Sequence, residues 1–263
     1  MSPADLRTVA IRAAEAGVAA VLDFRARAAA LDVESKGIGD YVTAADREAE
    51  AAVLAVLAEA TPDIAVLAEE SGGVSGDRVW VVDPVDGTTN FLRGFPIVGV
   101  SVGLLEEGMP VAGAVAAPEL GRLWSAARGQ GAHDRDGRRL RVRPAQGAGV
   151  VATGFPFRRP DNLARYRPVL DRSLTEFEDL RRAGAASLDL AFSAAGVFDG
   201  YFELGLSPWD VAAGGLLVLE AGGVVTDWSG DARAIYATGD VLAGAPEWHE
   251  RMLDMVLGAG IRG

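Results

Sequence analysis

The chain has 263 residues, 49% apolar and 24% charged, with 37 acidic against 25 basic side chains and a formal charge of -12. That is enough chain for a large core and close to the globular average, which excludes fibrous and disordered classes, while the negative charge disfavours direct nucleic-acid binding and anionic membranes and suits cations. Cysteine is absent, so disulfides, thiolate zinc sites and cysteine nucleophiles are excluded together.

Asp5, Arg7, Arg12 and Glu15 punctuate the N-terminal stretch and no later apolar run reaches spanning length, so a cytoplasmic location is expected. From Leu6 to about Ala30, apolar or small residues recur at Leu6, Val9, Ala10, Ala13, Gly17, Val21 and Phe24, which predicts a long amphipathic helix. Lys36 follows it as the only lysine, and Asn90 and Asn162 are the only asparagines. GC-rich coding explains such a bias, but a lysine kept where every other cation is arginine is also a candidate for a site needing a compact ammonium. Gly37, Gly39 and Asp40 break the chain. Thr43 is placed to cap a second helix over 44–60, with Asp46 in its first turn, where the helix dipole alone favours a carboxylate.

Ile64 to Ala68 reads as a strand that delivers Glu69 and Glu70 to its end. Val79, Trp80, Val81 and Val82 form a short buried strand, which Pro84 should end because it has no N–H to give to a sheet. Asp83 and Asp86 would then leave the strand together. Two ionised carboxylates so close repel one another, and a shared proton, a cationic partner or a bound metal relieves the repulsion. Metal is the preferred answer, although Asp-Pro-x-Asp-Gly is equally ordinary turn chemistry. Gly87-Thr88-Thr89 can open a helix whose N–H groups would hold a phosphate beside such metals.

Pro96 to Leu105 and Met109 to Ala117 read as a hairpin about Glu106-Glu107-Gly108, and Leu123 to Ala127 as a further strand. Arg135, Arg138, Arg139, Arg141 and Arg143 surround a turn at Asp136-Gly137, as a solvated strand face would. Near 144–149 hairpins give way to alternating strands and helices, so residues 1–145 are expected as an antiparallel-rich half and 146–263 as an α/β half. In the second, strands are predicted over 150–153, 197–204, 224–226 and 241–243, and helices over 162–175, kinked at Pro168, and 185–195. Ser207-Pro208-Trp209-Asp210 opens another helix, whose cap accounts for Asp210, and Pro246 starts the last. Ala212-Ala213-Gly214-Gly215 lies inside a helix, where close packing explains it better than a nucleotide cradle. His133 and His249 are expected on the surface.

Asp83-Pro84-Val85-Asp86-Gly87-Thr88-Thr89-Asn90-Phe91 and Trp209-Asp210-Val211-Ala212-Ala213-Gly214, taken together, resemble the two signatures of the inositol monophosphatase family. Val42-Thr43-Ala44-Ala45-Asp46, Glu69-Glu70-Ser71 and Phe198-Asp199-Gly200-Tyr201-Phe202-Glu203 follow in family order, so the resemblance covers nearly the whole chain. It displaces the purely structural explanations of Asp46 and Asp210. Two departures are Ala68, where the family often has glycine, and Ala185, where it often has a small hydroxyl residue.

The resemblance implies a layered α/β/α/β/α fold and a lithium-sensitive, magnesium-dependent phosphomonoesterase, commonly a homodimer, acting on inositol monophosphate or a similar small polyol phosphate. Relatives acting on fructose 1,6-bisphosphate, histidinol phosphate or a 3′-phosphorylated adenosine nucleotide are the alternatives, and a binding protein that keeps the fold is a third class. By the same resemblance, Glu69, Asp83 and the Val85 carbonyl form one magnesium site and Asp83, Asp86 and Asp210 a second, with Glu69 also serving a weaker third ion. Thr88 and Asp46 match the pair that orients and deprotonates the attacking water. Asp86, Gly87, Thr88, Gly184, Ala185, Ala186 and Glu203 match substrate-binding positions, and Lys36 a lysine on a mobile loop.

Overall fold

The computed structural model describes residues 1–27, 33–37, 40–74, 76–157 and 159–260, with backbone alone for 33–37 and 40–43. The expectations for Lys36 and for a Thr43 cap therefore fall outside the described side chains. Helix α1 (Pro3–Arg27) buries Leu6, Val9, Ala10, Ala13, Gly17, Val21 and Phe24, the stripe its periodicity predicts. Strands β1 (Val33–Gly37) and β2 (Asp40–Thr43) pair antiparallel where only a break was expected. Helix α2 (Ala44–Ala60) packs against α1. Gly17 permits the approach, because a Cβ there would meet Val100 Cγ1 at 2.9 Å and Val53 Cγ2 at 3.0 Å.

The first large sheet is built from β3 (Ala65–Ala68), β4 (Gly72–Gly73), β5 (Arg78–Asp86), β6 (Gly99–Glu106), β7 (Met109–Ala117), β8 (Arg122–Ala127) and β9 (Gly131–Asp134), with the short helix α3 (Thr88–Arg93) between β5 and β6. Its order is β4-β3-β5-β6-β7-β8-β9, and every pairing is antiparallel except β3 with β5. The β6–β7 hairpin turns on Glu107 (φ 51°) and Gly108 (φ 72°), the left-handed pair that matches strand twist. After β9 the turn at Asp136-Gly137 is present, but its return is a single bridge from His133 to Arg139 and not a strand. The arginines around it are exposed, as a solvated face requires.

Pro84 does not end its strand. Strand β5 runs on to Asp86, and its ladder with β6 passes from Asp83–Ser101 to Asp86–Gly99 across an irregularity that leaves Pro84 and Val85 unpaired. A bulge needs no ladder N–H at that point, so proline is tolerated inside the strand, and the bulge sets how Asp83 and Asp86 emerge.

The second sheet comes from β10 (Val150–Thr153), β11 (Asp179–Arg181), β12 (Gly200–Glu203), β13 (Val224–Thr226) and β14 (Val241–Gly244) in the order β11-β10-β12-β14-β13. Strand β10 is parallel to β11 and β12, while β14 is antiparallel to β12 and β13. The interspersed helices are α4 (Leu163–Glu176, containing Pro168), α5 (Ala186–Ala194), α6 (Pro208–Glu220), α7 (Ile235–Thr238) and α8 (Pro246–Gly258).

Contacts stack these elements as α1 and α2, the first sheet, α5 and α6, the second sheet, then α4 and α8, which is the expected α/β/α/β/α layering. The central helices come very close to their neighbours. A Cβ on Gly103 would meet Ala212 Cβ at 2.8 Å and one on Gly214 would meet Leu190 Cβ at 2.6 Å, so the small-residue run of α6 is packing, as expected. Among the described residues no helix is long and apolar enough to cross a membrane.

One histidine differs from expectation. His249 is buried beside Trp248 on α8, with Nε2 2.7 Å from Thr226 Oγ1, and burial lowers its pKa. The face of α8 that carries Trp248, Met252 and Val256 lies on the second sheet and takes His249 with it. His133 is half-buried, 3.3 Å from an Arg7 guanidinium nitrogen.

Candidate active site

The bulged end of β5 supplies Asp83 and Asp86, and the first turn of α6 supplies Asp210 from the other half of the sequence. Each of the three offers a carboxylate oxygen within 4.8 Å of the other two. Burial, followed by the charges of Glu69, Asp86 and Asp210, pushes the Asp83 carboxyl well above the usual carboxylate range. Asp210 is raised in the same way, by burial first and then by Asp86. Three gathered, acceptor-only carboxylates that resist ionising together form the donor set of a hard divalent cation, so the residues present fit magnesium.

Glu69, delivered by β3, lies beside this trio, close enough for its charge to raise the Asp83 carboxyl. Val85 sits within the bulge, where its N–H donates to Asp83 Oδ1 at 3.0 Å and its carbonyl accepts from Thr88 Oγ1 at 3.2 Å. The same hydroxyl lies 3.3 Å from Asp46 Oδ1, and both Thr88 and Asp46 are buried. Thus the structure brings together a residue from the first turn of α2 and one from the first turn of α3 that are 42 positions apart.

Gly87, at φ 90°, caps α3 in a left-handed conformation that only glycine adopts without strain. A Cβ there would also meet the Gly184 carbonyl at 3.3 Å and Ala185 Cβ at 3.4 Å, so the segment before α5 lies against the loop that follows β5. Ala186 opens α5 beside them. Glu203, at the end of β12, is half-buried and accepts from the Tyr201 hydroxyl at 2.5 Å. Burial raises its pKa to about 7, against the lowering effects of Tyr201 and Arg182. It is close enough for its charge to be felt at Asp210.

Several residues of this region were given no role from the sequence. Ser187, in the first turn of α5, donates both its N–H (2.7 Å) and its hydroxyl (2.5 Å) to Asp86 Oδ2. Asn90 Nδ2 donates to the carbonyls of Ile97 at 2.8 Å and Ala183 at 2.9 Å, which ties α3 to the strap before α5. Gly154 makes room for Glu203, since a Cβ there would overlap the Glu203 carboxyl group. The scarcity of asparagine was a usable signal for Asn90; Ser187 and Gly154 had none.

A model of the inositol monophosphatase family matches residues 2–257. The chain is 40% identical over 252 residues to the Nus factor SuhB of Salmonella typhimurium, covering 94% of this chain and 93% of that protein. Among solved structures it is similar to the extragenic suppressor protein suhB of Bartonella henselae, with 37% identity, a TM-score of 0.89 and coverage of 96% and 98% of the two chains. It is also similar to an inositol monophosphatase from Anabaena, with 34% identity, a TM-score of 0.83 and coverage of 97% and 96%. The chain belongs to the inositol monophosphatase family.

Proposed function

We propose that the chain is a magnesium-dependent phosphomonoesterase that hydrolyses inositol monophosphate or a similar small polyol phosphate. The observation that carries this reading is the convergence of Asp83, Asp86 and Asp210 beside the buried Thr88–Asp46 pair. Glu69, Asp83 and the Val85 carbonyl would hold one cation, and Asp83, Asp86 and Asp210 a second. Bound magnesium would supply Lewis acidity, acidifying a water and stabilising negative charge on the leaving oxygen. Thr88 can accept a hydrogen bond from that water while donating to Asp46, which gives the proton a path away from the attacking oxygen. Gly87 and Thr88 present backbone N–H groups at the start of α3, and Gly184, Ala185 and Ala186 flank them as a wall for the substrate. Glu203 would accept hydrogen bonds from its hydroxyls. The active unit is taken as a homodimer, and each chain as halves 1–145 and 146–263; the gap between β9 and β10, where one sheet ends and the next begins, supports that division.

Release of phosphate from inositol monophosphate, dependent on magnesium and abolished by excess chelator, is the expected result; full activity in chelator would refute it. Fructose 1,6-bisphosphate, histidinol phosphate and a 3′-phosphoadenosine nucleotide belong in the same panel, ranked by kcat/KM. The name Nus factor, carried by a relative 40% identical, favours a second reading as an accessory protein in which catalysis is secondary or lost. The intact carboxylate set supports the enzyme, and no turnover on any phosphate in the panel would support the accessory role.

A further inference from the structure

Glu50 takes no part in the carboxylate cluster, yet it is only 4% exposed, and both of its oxygens are engaged. Its Oε2 accepts the N–H of Glu70 and its Oε1 the N–H of Ser71, each at 3.0 Å. Those two peptide groups immediately follow Glu69. They lie in the three-residue loop joining β3 to β4, which pair through Ala68–Gly72 and Leu67–Gly73. The N–H of Glu69 itself donates to the Val82 carbonyl at 3.1 Å, continuing the β3–β5 register. The backbone around Glu69 is thus fixed on one side by the sheet and on the other by Glu50.

A buried carboxylate is an expensive group to place inside a fold, and an apolar side chain would fill the space without that cost. Among the described residues no arginine pairs with Glu50; its hydrogen-bond donors are the two backbone N–H groups. An anion that accepts two N–H groups of a tight loop fixes the loop's orientation, which a generic packing residue does not do. Asp46 lies four positions earlier, on the same face of α2, and meets Thr88. The first two turns of this helix therefore touch the candidate centre twice, once through Thr88 and once through the loop that presents Glu69.

We propose that Glu50 is a positioning residue for the cation site, acting through the backbone of Glu70 and Ser71 to aim Glu69 at the metal. The proposal rests on the reading of Glu69 as a ligand. Groups that orient metal ligands typically change affinity by roughly 10- to 100-fold when removed, and Glu50 is expected to fall in that range.

The test measures binding of Mn2+ alone to the purified chain by calorimetry, alongside the Tm of the chelated protein, for Glu50→Gln, Glu50→Ala, Glu69→Gln and Val53→Ala. Val53 is fully buried on the same helix and controls for loss of stability without a change in the loop. The expected result is Mn2+ binding weakened roughly tenfold or more in both Glu50 variants, with wild-type affinity in Val53→Ala despite its lower Tm. Glu50→Gln keeps the volume and one acceptor oxygen, so it remains informative if Glu50→Ala fails to fold. Weakened binding in Glu69→Gln with wild-type affinity in Glu50→Gln would overturn the positioning role alone. Wild-type affinity in Glu69→Gln would overturn the ligand reading and the proposal with it.

Discussion

Replacing Glu203 with glutamine tests the substrate reading most directly, because the surroundings of this carboxylate predict both the size and the pH dependence of the effect. One oxygen accepts from Tyr201, and burial raises the pKa to about 7. A substrate hydroxyl donating to this group favours its ionised form, so kcat/KM for a polyol phosphate should rise as pH passes through 7. A hydrogen bond to a charged group contributes about 1.5 to 3 kcal/mol, and each 1.4 kcal/mol is about tenfold. At pH 8, where about nine-tenths of a pKa 7 group is ionised, Glu203→Gln should therefore lower kcat/KM for inositol monophosphate by roughly 10- to 150-fold. At pH 6 only about one-tenth is ionised, and the gap should narrow about tenfold if the protonated acid binds no better than the amide. An aromatic phosphate that lacks the hydroxyls serves as reference, and the ratio of the two substrates cancels the titration of the Asp83, Asp86 and Asp210 carboxylates. Equal losses on both substrates, or a ratio that does not change with pH, would refute the reasoning.

Gly154→Ala should mimic Glu203→Gln, losing activity on the polyol phosphate but not on the aromatic one, because the new methyl displaces the Glu203 carboxyl group; unchanged selectivity in steady-state kinetics would count against it. Thr88→Ala and Asp46→Asn should each lower kcat by roughly 10²- to 10⁴-fold, and the double variant should lose far less than the product of the two, since the proposed mechanism passes one proton through this hydrogen-bonded pair. For the chelated protein, the raised carboxyls of Asp83 and Asp210 mean that the folded state holds protons the unfolded chain has released. Stability contributed by these groups is then lost as pH rises above the ordinary carboxylate range near about 4, so Tm should fall between mildly acidic and mildly alkaline pH, and added magnesium should restore more of it at the alkaline end. Lithium in the millimolar range should slow turnover with inositol monophosphate in steady-state assays, as the family resemblance implies, and unchanged turnover would remove that expectation.

Periodicity made most of the framework legible. The buried stripe of α1, the position of Asp46 in the first turn of α2 and the hairpin at Glu107-Gly108 each depend on neighbours within a few residues. Failures came where a partner distant in sequence decides the outcome. Strand β11 has no apolar pattern and exists because β10 lies beside it, and β4 is two glycines completing a loop. His249 is buried because its helix packs on the second sheet, against β12, β13 and β14. The candidate site divides in the same way. Its carboxylates were visible as a local motif, but the groups that hold them were not: Ser187 reaches Asp86 across 101 positions, and Glu50 binds backbone N–H groups, which leave no mark in a sequence.

Two pairs of explanations that looked like rivals in the sequence turn out to be compatible. Asp-Pro-x-Asp-Gly could be a turn or a metal loop, and Asp210 a helix cap or a ligand. In the structure Asp83 Oδ1 accepts the Val85 N–H at 3.0 Å, which is turn chemistry, and Asp210 Oδ2 accepts the Ser207 N–H at 2.7 Å, which is capping. Both carboxylates nevertheless belong to the cluster that fits a cation. Asp86 follows the same rule through Ser187, and Glu203 through Tyr201. In each case a donor of the protein grips one oxygen and so fixes the plane of the carboxylate. An unanchored aspartate would have to give up rotamer freedom on binding a cation, a cost already met during folding when the group is part of a turn or a cap. The local hydrogen bonds that make these aspartates look merely structural are therefore what would preorganise them as ligands of the proposed cation.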